Sequence, residues 1–470
     1  MAENKMDISK VLAVLAQPRE QLPPLENVER LYLNVRYMRK SGTVDDQRRV
    51  RVILPQGVER PMPLIYVPHY EMGEDAIELR DYLAQGWAVA CPDAFQNEYN
   101  GHLTDDDLMF NNAALSLLRQ RQEFDPDRII LVGGSAGAYM TLMLSGLQLG
   151  LCASIANGPI TNVYFNFHEY FAKTNARNLQ KLAQLAAEAK TEKKENTSEK
   201  QGDPLELLKR LQSLPVPFLA GLAGMFAPIG ENFPEPDDFS RWEACSPVGL
   251  ADRFSSPIMV NHCTSDVLVP VDQISKKYTY DKPGESLPEN FFHRLPEDYP
   301  GKLGRSLEEC LPAASTRTAR FIVPESDEDT ALPYDPTVQF NINIFDDGPV
   351  EGYGTHSSRM GGGRRLDVPY LTEMFRRTAR ETCVLTPGML RGLLERYLGL
   401  SPALPVFPDA PEDVYGSRES YRQEVRAELH RWQQQHGEEA LRKVFSQVLD
   451  NAGNDQERET LEKALRTVLD

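Results

Sequence analysis

The sequence is short of basic charge, of paired cysteines and of long apolar runs, and each shortage removes a class of function. Its 51 Lys and Arg stand against 69 Asp and Glu, a net charge of −18 over 470 residues. So acidic a surface repels nucleic acid and anionic membranes, and neither is expected as a partner. The six cysteines (Cys91, Cys152, Cys245, Cys263, Cys310 and Cys383) are scattered with no CxxC pair. That pattern fits the reduced thiols of a cytoplasmic protein better than a disulfide framework. The weakly polar stretch LPVPFLAGLAGMFAPIG at 214–230 is too short and too rich in Pro and Gly for an ordinary membrane-spanning helix. The N-terminal VLAVLA is flanked by charges and lacks the basic start and extended apolar region of a signal peptide. There is no HExxH, no Cys/His cluster at metal spacing and no GxxxxGK[ST], so neither metal nor cofactor is expected. RMGGGRR at 359–365 reads as a flexible loop rather than a phosphate grip.

What is present is an ordinary share of hydrophobic (41%) and charged (26%) residues, on a chain long enough for two or three domains or one domain with insertions. RLYLNVRYM (30–38) and RRVRVILP (48–55) alternate apolar and polar residues around a turn-like KSGTVDD, which predicts an antiparallel pair. Thereafter PLIYVP, WAVACPD, RIILVGG and ASIANGP are apolar throughout and alternate with helical segments. Such runs are strands buried on both faces of a largely parallel α/β sheet.

The alternation stops near residue 161 and resumes at SPIMVNHCTSD (256–266), then QFNINIFDDG (339–348). The expected organisation is an N-terminal segment (1–27), the first part of the core (28–160), a mainly helical insertion (161–245) and the second part of the core (246–400). That second part carries an irregular insertion at about 276–336. A C-terminal helical extension (401–470) follows. Its helix is expected to start at Ser420, with Gln423 in the capping-box position. Tyr421, Val425, Leu429 and Trp432, then Leu441, Val444, Phe445, Val448 and Leu449, recur at helical spacing. This tail packs either on its own body or, in a homo-oligomer, on another subunit.

The stretch IILVGGSAGAYM (129–140) concentrates the chemistry. Residues 133–137 match G-x-S-x-G between a strand and a helix, the context that holds a nucleophilic serine at a sharp turn. Gly133 and Gly137 give clearance where strand and helix crowd together. The following helix turns free N–H groups toward Ser135, favouring a developing oxyanion. A nucleophilic serine needs a base, and the base needs an orienting carboxylate. In this architecture the order is Ser, acid, His.

Asp266 follows the strand at 256–263, with Asp272 as competitor. Among eight histidines, His69, His102 and His168 precede the acid, His262 sits within a strand, and His430 and His436 lie in the tail. Of His293 and His356, only His356 follows the final strand, in GYGTHSS. The oxyanion hole would take the Ala136 N–H and a second donor from VPHYEMG. That donor is the backbone N–H of His69 or Tyr70, with the Tyr70 hydroxyl able to add to it. His69 is also a candidate for lining the substrate pocket.

The segments FDPDRIILVGGSAGAYM, SPIMVNHCTSDVLVPVDQ and GYGTHSS resemble the nucleophile, acid and histidine segments of the α/β-hydrolase superfamily. Within it they resemble the catalytic domain of the prolyl oligopeptidase and acylaminoacyl-peptidase group, over roughly residues 30–160 and 246–375. The resemblance implies an α/β-hydrolase fold with a helical cap at 161–245, and Ser135, Asp266 and His356 as nucleophile, acid and base. The loop VPHYEMG stands where that group has a His-Gly-Gly or Tyr-Gly-Gly sequence, and no β-propeller precedes the core.

The expected activity is that of a carboxylesterase-like serine hydrolase acting on a small-molecule ester. A serine peptidase acting on short peptides is the alternative, and a non-catalytic binding protein of the same fold is a third reading. Phe218, Leu219, Leu222, Met225 and Phe226 would either line an acyl or aromatic pocket or pack the cap.

Overall fold

The computed structural model describes residues 22–93, 105–171, 234–235, 237–264, 266, 269–277, 295–296, 298–322, 333–346 and 367–469. The alternating N-terminal runs do pair: β1 (Val28–Asn34) lies antiparallel to β4 (Arg49–Pro55), with Val28 opposite Pro55 and Asn34 opposite Arg49. The run expected as one strand over 30–38 divides after Asn34. Tyr37–Met38 (β2) leaves the sheet and pairs instead with Val44–Asp45 (β3). Both β2 side chains are buried, and the Tyr37 ring sits edge-on to Phe110 at 5.6 Å. Burial of that aromatic pair draws the chain inward.

The regular α/β pattern follows: β5 (Met62–Tyr66), α1 (Ile77–Ala84), β6 (Ala88–Pro92), α2 (Asp105–Arg119), β7 (Phe124–Gly134), α3 (Ala136–Leu147) and β8 (Ala153–Asn157). After α4 (Phe239–Ala244) come β9 (Ile258–Cys263), α5 (Leu307–Cys310), β10 (Thr316–Ile322) and β11 (Phe340–Asp346). The strands form one nine-stranded sheet in the order β1-β4-β6-β5-β7-β8-β9-β11-β10, in which β4 alone runs against the others. This is the mostly parallel, helix-flanked sheet expected of an α/β-hydrolase.

Alternate residues of β7 show why the strands are apolar throughout. Ile129 and Leu131 enter the core shared with α2 and α3, whereas Ile130 and Val132 enter the core under α1 and α6 (Val368–Phe375). Every residue of β6 and of β9 is buried, as befits strands covered on both faces.

The stretch 276–336 is not irregular throughout. Helix α5 opens with a Ser306/Glu309 capping box, and β10 pairs in parallel with β11, Thr316 opposite Phe340 and Ile322 opposite Asp346. As an edge strand β10 is bonded on one side only, so it tolerates the polar TRTAR pattern that hides it in the sequence.

Inside the sheet a polar ladder crosses three strands. Asn343 Nδ2 donates to Asn261 Oδ1 at 2.8 Å, and Asn261 Nδ2 donates to Asn157 Oδ1 at 2.8 Å. Arg317 Nη1 donates to Asn343 Oδ1 at 3.3 Å. Arginine has donors only, so it fixes which way all three carboxamides face.

After α7 (Ala379–Thr382), helix α8 (Pro387–Leu398) begins at the Thr386 N-cap and ends at Gly399 with φ 79°. It packs with α9 (Arg418–His436), α10 (Glu438–Asp450) and α11 (Asp455–Leu469) around Leu390, Leu394, Val425, Leu429, Leu441 and Leu465. Helix α9 starts three residues earlier than the sequence suggests: Ser417 is the N-cap and accepts the Ser420 N–H at 3.0 Å. The polar first turn Arg418-Glu419-Ser420 masks that start.

The tail is fixed to its own body by buried charge. Arg119 of α2 and Arg396 of α8 both donate to Glu428 of α9, at 3.0 and 3.2 Å. Burial pushes neighbouring Glu424 up to about 7. All six cysteines are free thiols. No helix among the described residues is long and apolar enough to cross a membrane.

Candidate active site

Ser135 stands between β7 and α3 with φ 54° and ψ −120°. A residue with a Cβ seldom occupies such backbone, and holding it there costs about 1–3 kcal/mol. Two bonds and two glycines keep the turn in place. The Ser135 N–H donates to the Asn157 carbonyl at 2.8 Å, and the Ser135 carbonyl accepts the Tyr139 N–H at 3.0 Å. Asn157 is also the end of the carboxamide ladder, so the residue that steadies Ser135 is itself steadied from two strands away. A Cβ on Gly133 would lie 2.3 Å from the Gly137 carbonyl oxygen and 2.6 Å from Thr141 Oγ1. One on Gly137 would meet the Pro68 carbonyl oxygen at 3.0 Å and Tyr70 Cδ2 at 3.3 Å. The first glycine admits the helix to the strand; the second admits the loop after β5.

That loop, residues 67–73, brings the Tyr70 hydroxyl to the serine. Burial raises the Tyr70 pKa, partly offset by hydrogen bonds that its oxygen makes with the Ser135 side chain and the Ala136 backbone N–H. The three groups therefore meet at one point, although Tyr70 as a residue is 41% exposed. Both backbone N–H groups proposed from the sequence as donors are engaged elsewhere. His69 N–H donates to Asn111 Oδ1 at 3.3 Å, and Tyr70 N–H to the Pro68 carbonyl at 3.0 Å. The phenol, rather than a main-chain amide, is the group this loop offers.

Asp266 lies three residues beyond β9 and is fully buried. Its Oδ1 accepts the Val269 N–H at 2.9 Å, and its Oδ2 is 3.9 Å from His262 Nε2. His262 is the packed strand residue expected, donating Nε2–H to the Val269 carbonyl at 2.7 Å. Asp272 falls in a short 3-10 turn, Val271–Gln273. Since β7 and β9 are parallel and separated only by β8, Ser135 and Asp266 follow strand ends about 10 Å apart at the same edge of the sheet. The sequence carries His356 ten residues beyond the end of β11, the next strand along. His356 lies outside the described residues, as do His102, His293, Phe218, Leu219, Leu222, Met225 and Phe226.

Beneath the loop sits a cluster that sequence reasoning missed. His69, with φ 75°, is buried, and its Nδ1 is 2.5 Å from Asp107 Oδ2. Asp107 Oδ1 accepts from Arg48 Nη2 at 2.5 Å, and the Arg48 guanidinium covers the Phe110 ring at 3.9 Å. Burial alone would raise the Asp107 carboxyl; the His69 imidazole and the Arg48 guanidinium facing it hold it below the usual range. The available signal was the acidic triplet at 105–107 opening α2, which is indistinguishable from a solvated helix start.

No protein-family model and no curated protein matches the chain. Several solved structures are similar to it. A puromycin hydrolase aligns at 11% identity and a TM-score of 0.39, covering 74% of this chain and 40% of that one. Dipeptidyl peptidase 4 of Porphyromonas gingivalis aligns at 15% and 0.39, covering 75% and 36%. The acylaminoacyl peptidase of Pyrococcus horikoshii aligns at 15% and 0.39, covering 76% and 42%. The chain thus spans about two fifths of the length of each.

Proposed function

We propose that the protein is a serine hydrolase that cleaves a carboxylic ester through an acyl-enzyme. Ser135 is the nucleophile, His356 the base and Asp266 the carboxylate that orients it. The observation that carries this reading is the strained Ser135 backbone, with the Ser135 side chain and the Ala136 N–H both hydrogen-bonded to the Tyr70 oxygen. Strain of this kind persists where surrounding structure over-determines it, and it concentrates at reacting groups. A capping serine would need none of it, and Ser135 makes no side-chain capping bond to α3.

In this mechanism Ser135 Oγ attacks the ester carbonyl while His356 takes its proton. The carbonyl oxygen becomes an oxyanion held by the Ala136 N–H and the Tyr70 O–H, which give up their bond to one another as the charge develops between them. Collapse breaks the bond to the alkoxide, which leaves with the proton from His356. Water, deprotonated by the same imidazole, then releases the acid and restores Ser135. Asp266, buried beyond β9, holds the imidazole tautomer and stabilises its protonated form. The apolar residues Phe218, Leu222, Met225 and Phe226 are assigned to the acyl pocket; His69, buried against Asp107, is not exposed to line it.

The test is turnover of nitrophenyl acetate by the whole chain and by Ser135→Ala, with aminoacyl nitroanilides run in parallel. Ester turnover lost in Ser135→Ala supports the reading. Faster anilide cleavage would make the protein a peptidase, and equal rates for the two proteins would overturn both.

A further inference from the structure

We propose that His69 and Asp107 are positioning residues that act on the reaction through Tyr70, by fixing the direction in which its hydroxyl is presented to the oxyanion. The proposal rests on the hydrolase reading of Ser135.

Tyr70 is held at its hydroxyl end by Ser135 and the Ala136 N–H, and the direction of its ring depends on what holds its other end. It is among the exposed large hydrophobic residues described, and its own N–H closes only a tight turn onto Pro68. The residue before it is the opposite. His69 is buried, and it occupies left-handed backbone at φ 75°, where glycine would sit without strain. Helix α2 grips that residue twice from a single turn. Asp107 takes the imidazole Nδ1, while Asn111, four residues on, takes the His69 backbone N–H. Asn111 is locked in turn: its Nδ2 donates to the Asp107 carbonyl at 2.8 Å, and its Oδ1 accepts the Tyr66 hydroxyl at 2.7 Å. Arg48 holds the other oxygen of Asp107. Both the side chain and the main chain of residue 69 are therefore anchored to a rigid helix.

The consequences pass directly to Tyr70. The His69 and Tyr70 rings meet edge to face with centroids 4.4 Å apart. From there the Tyr70 ring runs over Gly137 to reach Ser135 and the Ala136 N–H. A dry Arg–Asp–His cluster is a poor source of stability compared with apolar packing of the same volume. What it supplies is a fixed geometry, which a catalytic donor requires to within a fraction of an ångström. His69 Nε2 is also buried, with no hydrogen-bond partner among the described residues. Among the described residues the bond to Asp107 is therefore the imidazole's one hydrogen bond, and its loss leaves the ring oriented by packing alone.

The experiment is a double-mutant cycle on the whole chain, with kcat and KM for nitrophenyl acetate measured for Asp107→Asn, Tyr70→Phe and the pair. Asp107→Asn is expected to lower kcat about 10- to 100-fold with KM within about twofold, the signature of a displaced donor. In the Tyr70→Phe background the same change should alter kcat less than about twofold, because the group it positions is gone.

A second pair guards against misfolding. His69→Gly suits the left-handed backbone and should lose kcat, whereas His69→Asn, which also tolerates that backbone and can donate to Asp107, should recover part of it. Independent, multiplying effects of Asp107→Asn and Tyr70→Phe would overturn the proposal, as would a rise in KM at constant kcat or equal activity of the two His69 variants. Undiminished turnover by Ser135→Ala would instead remove the hydrolase reading, and this proposal with it.

Discussion

The glycines around Ser135 offer a graded test of the turn, because a single added methyl has three different expected effects. In Gly133→Ala the new Cβ falls 2.3 Å from the Gly137 carbonyl oxygen, 2.4 Å from its carbon and 2.6 Å from Thr141 Oγ1. Two of those atoms are backbone, so no rotamer relieves the clash, and α3 must move off β7 by about 1 Å in a close-packed core. Overpacking of this type costs about 3 kcal/mol, the upper part of its range. In Gly134→Ala the nearest atom, the Asn157 carbonyl oxygen, is 4.0 Å away. There the change should stay within about 0.5 kcal/mol. Gly137→Ala meets the Pro68 carbonyl oxygen at 3.0 Å and the Tyr70 ring at 3.3 Å. The helix propensity of alanine, about 1 kcal/mol better than glycine, offsets that crowding in stability. Tyr70 is pushed aside all the same, so kcat should fall while the folded state survives. Urea unfolding followed by fluorescence, with ester turnover on the same samples, reads both quantities. Equal unfolding midpoints for Gly133→Ala and Gly134→Ala would refute the account of the turn.

Three further outcomes are expected. Tyr70→Phe removes one of two oxyanion donors and should lower kcat by about 10²- to 10³-fold with little change in KM; a loss below threefold would return that role to a backbone amide. Asn261→Leu leaves Asn157 Oδ1 and Asn343 Nδ2 without their partner inside the sheet. It should cost about 1–3 kcal/mol in urea unfolding, and no cost would show the ladder to be incidental. Glu424 has a folded pKa of about 7, above its ordinary 4.5, because it is buried beside Glu428, with Arg396, Arg119 and Ser116 facing it. A carboxyl with a raised folded pKa holds its proton longer in the folded state. Wild-type stability should therefore decline relative to Glu424→Gln as pH climbs from about 4.5 to about 7, by on the order of 3 kcal/mol, and stay level above that. A pH-independent difference between the two proteins would contradict the burial argument.

The features legible in the sequence are those written as local pattern. Strands covered on both faces need unbroken apolar runs, so β5 to β9 and β11 stand out, and the glycines flanking Ser135 mark a turn that has no room for side chains. Features that depend on long-range partners were not legible. Strand β10 needs only one neighbour and carries Arg317 and Arg320, which hide it among charged residues. The Ser417 cap precedes the first apolar residue of its helix, so hydrophobic periodicity begins too late to find it. Asp107 looks like any acid in a first helical turn until His69 and Arg48, 38 and 59 residues away in sequence, are brought against it. The same limit bears on the loop after β5. The sequence points to that loop, but only the fold shows that its His69 and Tyr70 N–H groups bond to Asn111 and Pro68.

The most direct test of the central claim is covalent. The whole chain is treated with a fluorophosphonate, and the modified residue is located by peptide mass mapping, with Ser135→Ala and Tyr70→Phe in parallel. One adduct on Ser135 is predicted, absent in Ser135→Ala and forming more slowly in Tyr70→Phe, because phosphonylation develops negative charge where the oxyanion would. An unmodified Ser135 in folded protein, or equal labelling of Ser135→Ala, would contradict the assignment of Ser135 as nucleophile.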